Sequence, residues 1–281
     1  MLITNVTRLS SCRRRDFMVQ RAGSRGCAVE VGAHVNQLLA EVIDAHGGMD
    51  CWKAYEKVEA SIVSGGGLFA LKGLIQDPDP RRMTVWLHEQ RSSVLPYGAP
   101  DQRTMFTPDR IAIEKVDGTV VAERFAPTDS FAGHQMQTPW DELHRAYFNG
   151  EAVWTYLTTP FLLAGFGVHV EETEPWEQDG ETWRVLRARF PGSIETHSRV
   201  QDFFFDDSRM LRRHDYQVNV AGGFPAAQLT SEHVSVDGIS LPTKRRAYTR
   251  GPDRRPILDM LMVAIDFSDV KFSPDGTRRF S

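Results

Sequence analysis

The sequence predicts a mainly β protein, mostly antiparallel, interrupted by one long helical insertion. Short β-type runs fill the chain from Lys57 to about Pro127 and return after Pro160. Tight Asp-Gly turns join several of these runs, and no βαβ alternation recurs. About ten to twelve strands joined in this way make an antiparallel sheet, barrel or half-barrel.

The elements follow in order. Val35, Leu38, Leu39, Val42 and Ile43 recur at three- and four-residue spacing, one apolar face of a helix that begins near Val31. It stops at His46-Gly47-Gly48, where a glycine takes a left-handed cap. A short turn carrying Trp52 and Tyr55 packs back on that face. Strands are expected over 58–64, 68–74, 83–88, 111–116 and 119–125. Asp117-Gly118 closes the last pair as a type I′ hairpin, with positive φ at both positions.

The periodicity then becomes helical. Trp140, Leu143, His144, Tyr147, Phe148, Trp154 and Leu157 form one stripe, with Pro139 at the first turn and Pro160 closing the segment. Asn149-Gly150 in its middle can divide it in two. Further strands are expected near 167–176, 182–190, 199–206, 210–220, 226–236, 239–249 and 260–272. Asp179-Gly180 and Asp237-Gly238 mark two more tight hairpins. In 201–206, Phe203 and Phe205 point one way and Phe204 points to a half-buried opposite face with Asp202 and Asp206. Met260–Phe267 is apolar on both sides and calls for cover on both.

Composition bounds the function. A 281-residue chain can bury roughly 70–75% of its unfolded surface, so residues 31–281 form one domain without staples. With 25% charged residues and a net charge of −4, nucleic acid is not an expected partner. Residues 1–30 carry six arginines against Asp16 and Glu30. They are expected to be a disordered leader or to precede the true start, the alternative being a tail that touches anionic lipid or RNA. Cys12, Cys27 and Cys51 lack CxxC spacing and give neither a disulfide framework nor a zinc signature. No metal and no cofactor is implied. No run approaches 18 consecutive apolar residues, and 1–30 has no apolar secretory core, so the expected location is the cytoplasm.

Several polar groups invite a chemical reading. Asp141 and His144 share a helix face, with His134 nearby, and could act as an acid–base pair. Without HExxH or a third ligand at a telling distance they make no metal site, and a capping role explains them equally. His169 with Glu171, and His214 with Arg212 and Tyr216, read as solvated strand faces. Gly65-Gly66-Gly67 lacks the Lys-Ser/Thr of a phosphate loop and reads as a bend. Lys244-Arg245-Arg246, with Arg250, Arg254 and Arg255, reads as a solvated hairpin or an anion-facing rim. No GxSxG nucleophile motif occurs.

A helix ending in Gly47-Gly48, then Trp52, then a long meander broken by a helical insertion resembles the LolA-like superfamily over about residues 33–273. The stretches Trp140-Asp141-Glu142-Leu143 and Tyr156-Leu157-Thr158-Thr159-Pro160-Phe161 are similar to an uncharacterised bacterial branch of it. The resemblance implies a large antiparallel unclosed β-barrel (half-barrel), with an N-terminal helix and a central helical lid near 139–160. It also implies an apolar space between sheet and lid that holds acyl chains. It transfers no site residue position by position.

The expected function is binding or carriage of a hydrophobic small molecule or acyl chain in that space. Trp140, Tyr147, Phe148, Trp154 and Phe161 are the candidate walls, and His134, Asp141 and His144 the candidate contacts to a polar head. The same aromatics could simply fill the core, the difference being whether a cavity of about 300 Å³ or more remains. The alternatives are an enzyme acting on a lipophilic substrate in the same cavity, or a protein-interaction module with a filled core. The ligand and the oligomeric state stay open.

Overall fold

A computed structural model describes residues 36–76 and 78–274. The expectations for the basic segment 1–30, for Cys12 and Cys27 and for the start of the first helix fall outside these residues. The chain opens with α1 (Gln37–Ala45) and α2 (Met49–Trp52), then β1 (Tyr55–Gly65) and the single turn α3 (Leu68–Leu71). A first meander follows: β2 (Arg81–Trp86), β3 (Arg91–Leu95), β4 (Gln102–Thr107), β5 (Arg110–Lys115) and β6 (Val120–Phe125). Helix α4 (Glu142–Thr158) separates it from a second meander of β7 (His169–Gln178), β8 (Glu181–Arg189), β9 (Val200–Phe205) and β10 (Leu211–Val218). That meander ends in β11 (Phe224–Val236), β12 (Ile239–Arg250) and β13 (Pro256–Pro274).

All thirteen strands form one antiparallel sheet, ordered β6-β5-β4-β3-β2-β1-β13-β12-β11-β10-β9-β8-β7. The first and last strands of the described chain therefore pair at its centre, where Ile62 lies opposite Phe267 and Ser64 opposite Ile265. Strands β6 and β7 end the sheet on either side and do not pair with each other, so the barrel is unclosed. This bears out the expected half-barrel.

Helix α1 ends where the sequence places it. The Asn36 side chain accepts from the Leu39 N–H at 3.2 Å and starts the helix. At the far end Gly47 has φ +119°, and a Cβ there would lie 2.1 Å from the Gly238 carbonyl oxygen. The Ser240 N–H then donates to the His46 carbonyl at 3.0 Å, sewing α1 to the β11–β12 turn.

Four local expectations are corrected. Within 68–74 the chain forms the single turn α3 over 68–71 and then a turn, not a strand, because Leu68, Phe69 and Lys72 bury one face at helical spacing. Strands β3 and β4, rich in serine, threonine and other polar residues, carry no clear alternation and were not anticipated. At the β5–β6 hairpin only Gly118 has positive φ, +91°. Asp117 instead accepts the Thr119 N–H on its side chain at 2.9 Å, while Asp179-Gly180 and Asp237-Gly238 do have positive φ at both positions. Finally, the early part of β13 is not covered on both sides: a register shift brings Met262 and Val263 both into the core and leaves Met260 exposed.

The Asn149-Gly150 pair does not break α4. A Cβ on Gly150 would sit 2.5 Å from the Phe106 Cβ, so the missing side chain lets the helix lie directly on β4. The Ser92 hydroxyl of β3 donates to the Gly150 carbonyl at 2.9 Å. From His144 to Thr158 every residue but Asn149 is buried. Thus α4 is a core helix that fills the concave side of the sheet. The convex side has a smaller cluster of its own, in which Trp176, Trp183 and Val185 bury Phe204 completely. That face of β9 is covered, not half-buried.

Candidate functional site

A helix buried on all sides must satisfy its polar side chains internally. Glu151 lies on the stripe of α4 with Tyr147 and Trp154, and its carboxylate is 2.9 Å from His197 Nδ1, both side chains being fully buried. The other ring nitrogen of His197 is 2.9 Å from the Tyr156 hydroxyl, which in turn is 3.0 Å from the Tyr216 hydroxyl. The Gln228 amide donates to the Tyr216 hydroxyl at 3.2 Å, and Arg245 donates to Gln228 Oε1 and to the Tyr156 carbonyl at 2.8 Å each. His214 Nε2–H donates to Gln201 Oε1 at 2.5 Å, and the ring stacks on Phe203.

Burial alone would push the His197 imidazole down, but Glu151 and the Tyr156 hydroxyl more than offset it and raise its pKa to about 10. His214, buried with no carboxylate and facing Arg245 and His197, goes well below its ordinary value and stays neutral. Burial lowers even Arg245 to about 10. This network ties α4 to β9, β10, β11 and β12. The sequence placed His214 and Tyr216 on a solvated face and Arg245 in a solvated run. Both readings are corrected, because these strands turn that face toward α4. Lys244 and Arg246, on the alternate face, pair outside with Glu232 and Asp266. His169 and Glu171 are solvated as expected.

Next to this network the interior is filled. The space between α4 and the central strands, bounded by Phe148, Tyr156, Ile62, Val263 and Ile265, amounts to about 20 Å³, room for about one water.

The predicted polar contacts lie at the N-terminal end of α4. Asp141 is its N-cap: its carboxylate accepts the His144 N–H at 2.8 Å, and the Asp141 N–H donates back to His144 Nδ1 at 3.1 Å. His144 Nδ1 is thereby an acceptor, and the ring carries its proton on Nε2. Burial lowers the His144 and His134 pKa values. Burial would raise the Asp141 carboxyl, yet Arg124, donating at 2.6 Å, and the His144 N–H hold it below the usual range. The His134 and His144 rings lie 5.1 Å apart around Phe131. Among the described residues no cluster of three His, Cys, Asp or Glu side chains could hold a metal. Beside this corner Lys72 is buried under Trp140, donates to the Gln135 carbonyl at 2.7 Å, and is lowered by burial to about 8.

A cleft of about 410 Å³ opens at the other end of α4. Its floor is Trp154 and Thr158 of α4 with Phe161 and Leu162 of the following turn. Trp52 stacks on Phe161 with centroids 4.3 Å apart and planes within 6°, which fixes one wall. Leu87, after β2, also lines it, next to His88, whose ring packs edge-on against Trp52 at 6.1 Å. The Trp154 indole N–H is held by the Trp86 and Glu89 carbonyls at 2.9 Å each. Ser193 and Ile194 of the β8–β9 loop complete the rim. That loop is clamped at Glu195, whose backbone exchanges two hydrogen bonds with the Gln90 amide and whose carboxylate accepts from the Tyr147 and Thr128 hydroxyls.

Of the eight residues singled out in the sequence, Trp154 and Phe161 line this cleft. Phe148 borders the small internal space, while Trp140 and Tyr147 pack around Phe131 with His134, Asp141 and His144 at the opposite end of the helix. Glu151 and His197 were missed, although a carboxylate on an otherwise apolar helical stripe is itself a signal of a buried partner. Trp52 was read as packing back on the first helix and not as a wall, and Leu87 gave no signal beyond being apolar.

No protein-family model matches the chain, and no curated protein matches its sequence. Solved structures do match over most of its length. A LolA superfamily protein from Nitrosomonas europaea is 13% identical with a TM-score of 0.48, covering 86% of this chain and 95% of that one. A DUF1329 family protein from Desulfovibrio piger is 12% identical with a TM-score of 0.43, covering 87% and 96%. The lipoprotein LppX of Mycobacterium tuberculosis is 11% identical with a TM-score of 0.29, covering 86% and 98%. Likeness at this level carries no argument about the site.

Proposed function

We propose that this chain binds a hydrophobic small molecule or acyl chain, reversibly, in the cleft at the C-terminal end of α4. The observation that carries the reading is the cleft itself: about 410 Å³ of open space walled by Trp52, Leu87, Trp154, Phe161 and Leu162. That volume falls within the roughly 300–1,000 Å³ typical of small-molecule sites. Each methylene buried there contributes about 0.8 kcal/mol before ordering costs. The ligand thus lies at one end of the helix and not along its length. Trp154 and Phe161 keep the wall role expected of them, while Trp140, Tyr147 and Phe148 serve the core.

The test is native mass spectrometry with organic extraction of the protein from its own host, paired with uptake of a neutral apolar fluorophore. A co-purifying apolar compound supports the reading and gives its chemical class. A clean apo mass together with no uptake of the fluorophore sinks it. The filled contact between α4 and the sheet favours a second reading, an interaction module, which that outcome would promote. The enzyme alternative built on Asp141 and His144 has less support, because both side chains are engaged in capping the helix.

A further inference from the structure

The lining of the cleft also carries information about the polar end of what it holds. Five polar side chains border it: Lys53, His88, Gln90, Thr158 and Ser193. Two of these are already engaged. Both ends of the Gln90 amide are held by the Glu195 backbone, and the Thr158 hydroxyl donates to the Trp154 carbonyl at 2.8 Å. His88 uses Nε2 against the Tyr55 carbonyl at 2.8 Å, leaving Nδ1. Lys53, the residue after α2 and next to Trp52, is exposed and forms no ion pair with any described residue. No carboxylate lines the cleft. Its polar rim therefore offers two donors beside an apolar wall, the Lys53 ammonium and the Ser193 hydroxyl, while His88 Nδ1, with Nε2–H donating, is an acceptor.

We infer that the cleft selects an amphiphile with an anionic head, of the long-chain carboxylate class, the head meeting Lys53 and the chain running over Trp154, Phe161 and Leu162. This rests on the apolar-ligand reading above and adds the charge of the head. The attraction is that of a partly exposed ion pair, so it is modest and sensitive to salt. Apolar burial sets the affinity, and Lys53 sets the preference among heads.

The experiment is displacement of the neutral probe N-phenyl-1-naphthylamine at low ionic strength by dodecanoate and by dodecan-1-ol, two ligands of equal chain length. It is run on the wild-type protein and on Lys53→Gln and Lys53→Glu, changes at an exposed position. The expected result is a carboxylate-to-alcohol affinity ratio that falls about three- to fivefold in K53Q. It falls further in K53E, while the affinity for dodecan-1-ol stays constant in all three proteins. A ratio unmoved by either substitution, with dodecan-1-ol still bound, overturns the head-group inference and leaves the apolar cleft standing. Failure of the probe and of both ligands to bind the wild-type protein overturns the cleft reading and this inference with it.

Discussion

The carboxylate of Glu151 and the imidazole of His197 meet at 2.9 Å in the centre of the molecule, both fully withdrawn from water. One sits on α4 and the other in the loop between β8 and β9, so a single ion pair joins the buried helix to the loop that rims the cleft. A buried pair is weak evidence of net stabilisation, but leaving one partner alone is costly, about 3–5 kcal/mol. Glu151→Ala is expected to lower unfolding stability by that order in urea titrations. A loss below about 1 kcal/mol would mean that the pair is solvated.

The same pair gives a pH dependence with a definite sign. His197 holds its proton up to about pH 10 when folded, against an ordinary value of 6.5. Its contribution is fully present below about pH 6.5 and is lost as pH rises toward 10. Lys72, lowered to about 8, acts in the opposite direction above that pH. The clean window is therefore pH 6.5 to 8, where stability should fall with pH in the wild-type protein. The double variant E151Q/H197Q, which removes both charges, should flatten that slope.

His46 predicts the opposite limb. Burial pushes its pKa from 6.5 down to about 4, so the unfolded chain takes up a proton first on acidification. Its share of stability is present above about pH 6.5 and is lost as pH falls toward 4, by up to about 3 kcal/mol. His134, His144, His214 and His233 are shifted in the same direction by burial. His46→Gln should shrink, not abolish, the loss of stability measured by denaturant unfolding between pH 6.5 and 4.

Gly150 separates helix propensity from packing. In an exposed helix, alanine would be favoured over glycine by about 1 kcal/mol. Here its Cβ would meet Phe106 Cβ at 2.5 Å and Cγ at 2.6 Å. Overpacking of this kind costs about 1–3 kcal/mol. Gly150→Ala is expected to lower the Tm, and a raised Tm would show that α4 does not lie against β4 this closely.

Gly47 and Gly48 form a matched pair of controls. Both have positive φ, but a Cβ on Gly47 would strike the Gly238 carbonyl at 2.1 Å whereas one on Gly48 has nothing within 4 Å. Gly48→Ala should cost about 1–3 kcal/mol of backbone strain, because φ +83° with ψ 154° is a region that essentially only glycine occupies. Gly47→Ala should cost distinctly more and loosen α1 from the β11–β12 turn, seen as faster amide exchange at Ser240.

Filling the cleft should abolish binding without unfolding the protein. Ala164 is exposed and lines it, so Ala164→Trp places an indole in the open volume and leaves the core untouched. The expected outcome is an unchanged Tm with loss of apolar-probe uptake. Retained uptake would place the binding surface elsewhere.

Much of the fold is legible in the residues themselves. Periodicity located α1, α4 and eleven of the thirteen strands, because a repeat of two or of three to four residues is set by backbone geometry alone. Glycine turns were legible in kind, since Asp179-Gly180 and Asp237-Gly238 adopt the positive φ that their sequence favours. At Asp117-Gly118 the same dipeptide took another turn, because the flanking register and the Thr119 N–H offered a different closure. Short runs such as 68–74 and the polar strands β3 and β4 were not legible. Over so few residues the pattern is too brief to separate helix, strand and loop.

The sequence by itself determined that this chain would be an antiparallel sheet around one aromatic helix, since alternation and helical periodicity are local and additive along the chain. Which aromatic lines a cavity and which fills the core was decided only by tertiary structure. Tyr147 and Trp154 lie on one stripe of one helix, yet one packs on Phe106 and Phe131 and the other borders an open cleft. The reason is physical: burial of a side chain depends on what arrives from distant strands and loops. His197, forty-six residues from Glu151, and Trp52, about a hundred residues from Phe161, acquire their partners only when the sheet curls around α4.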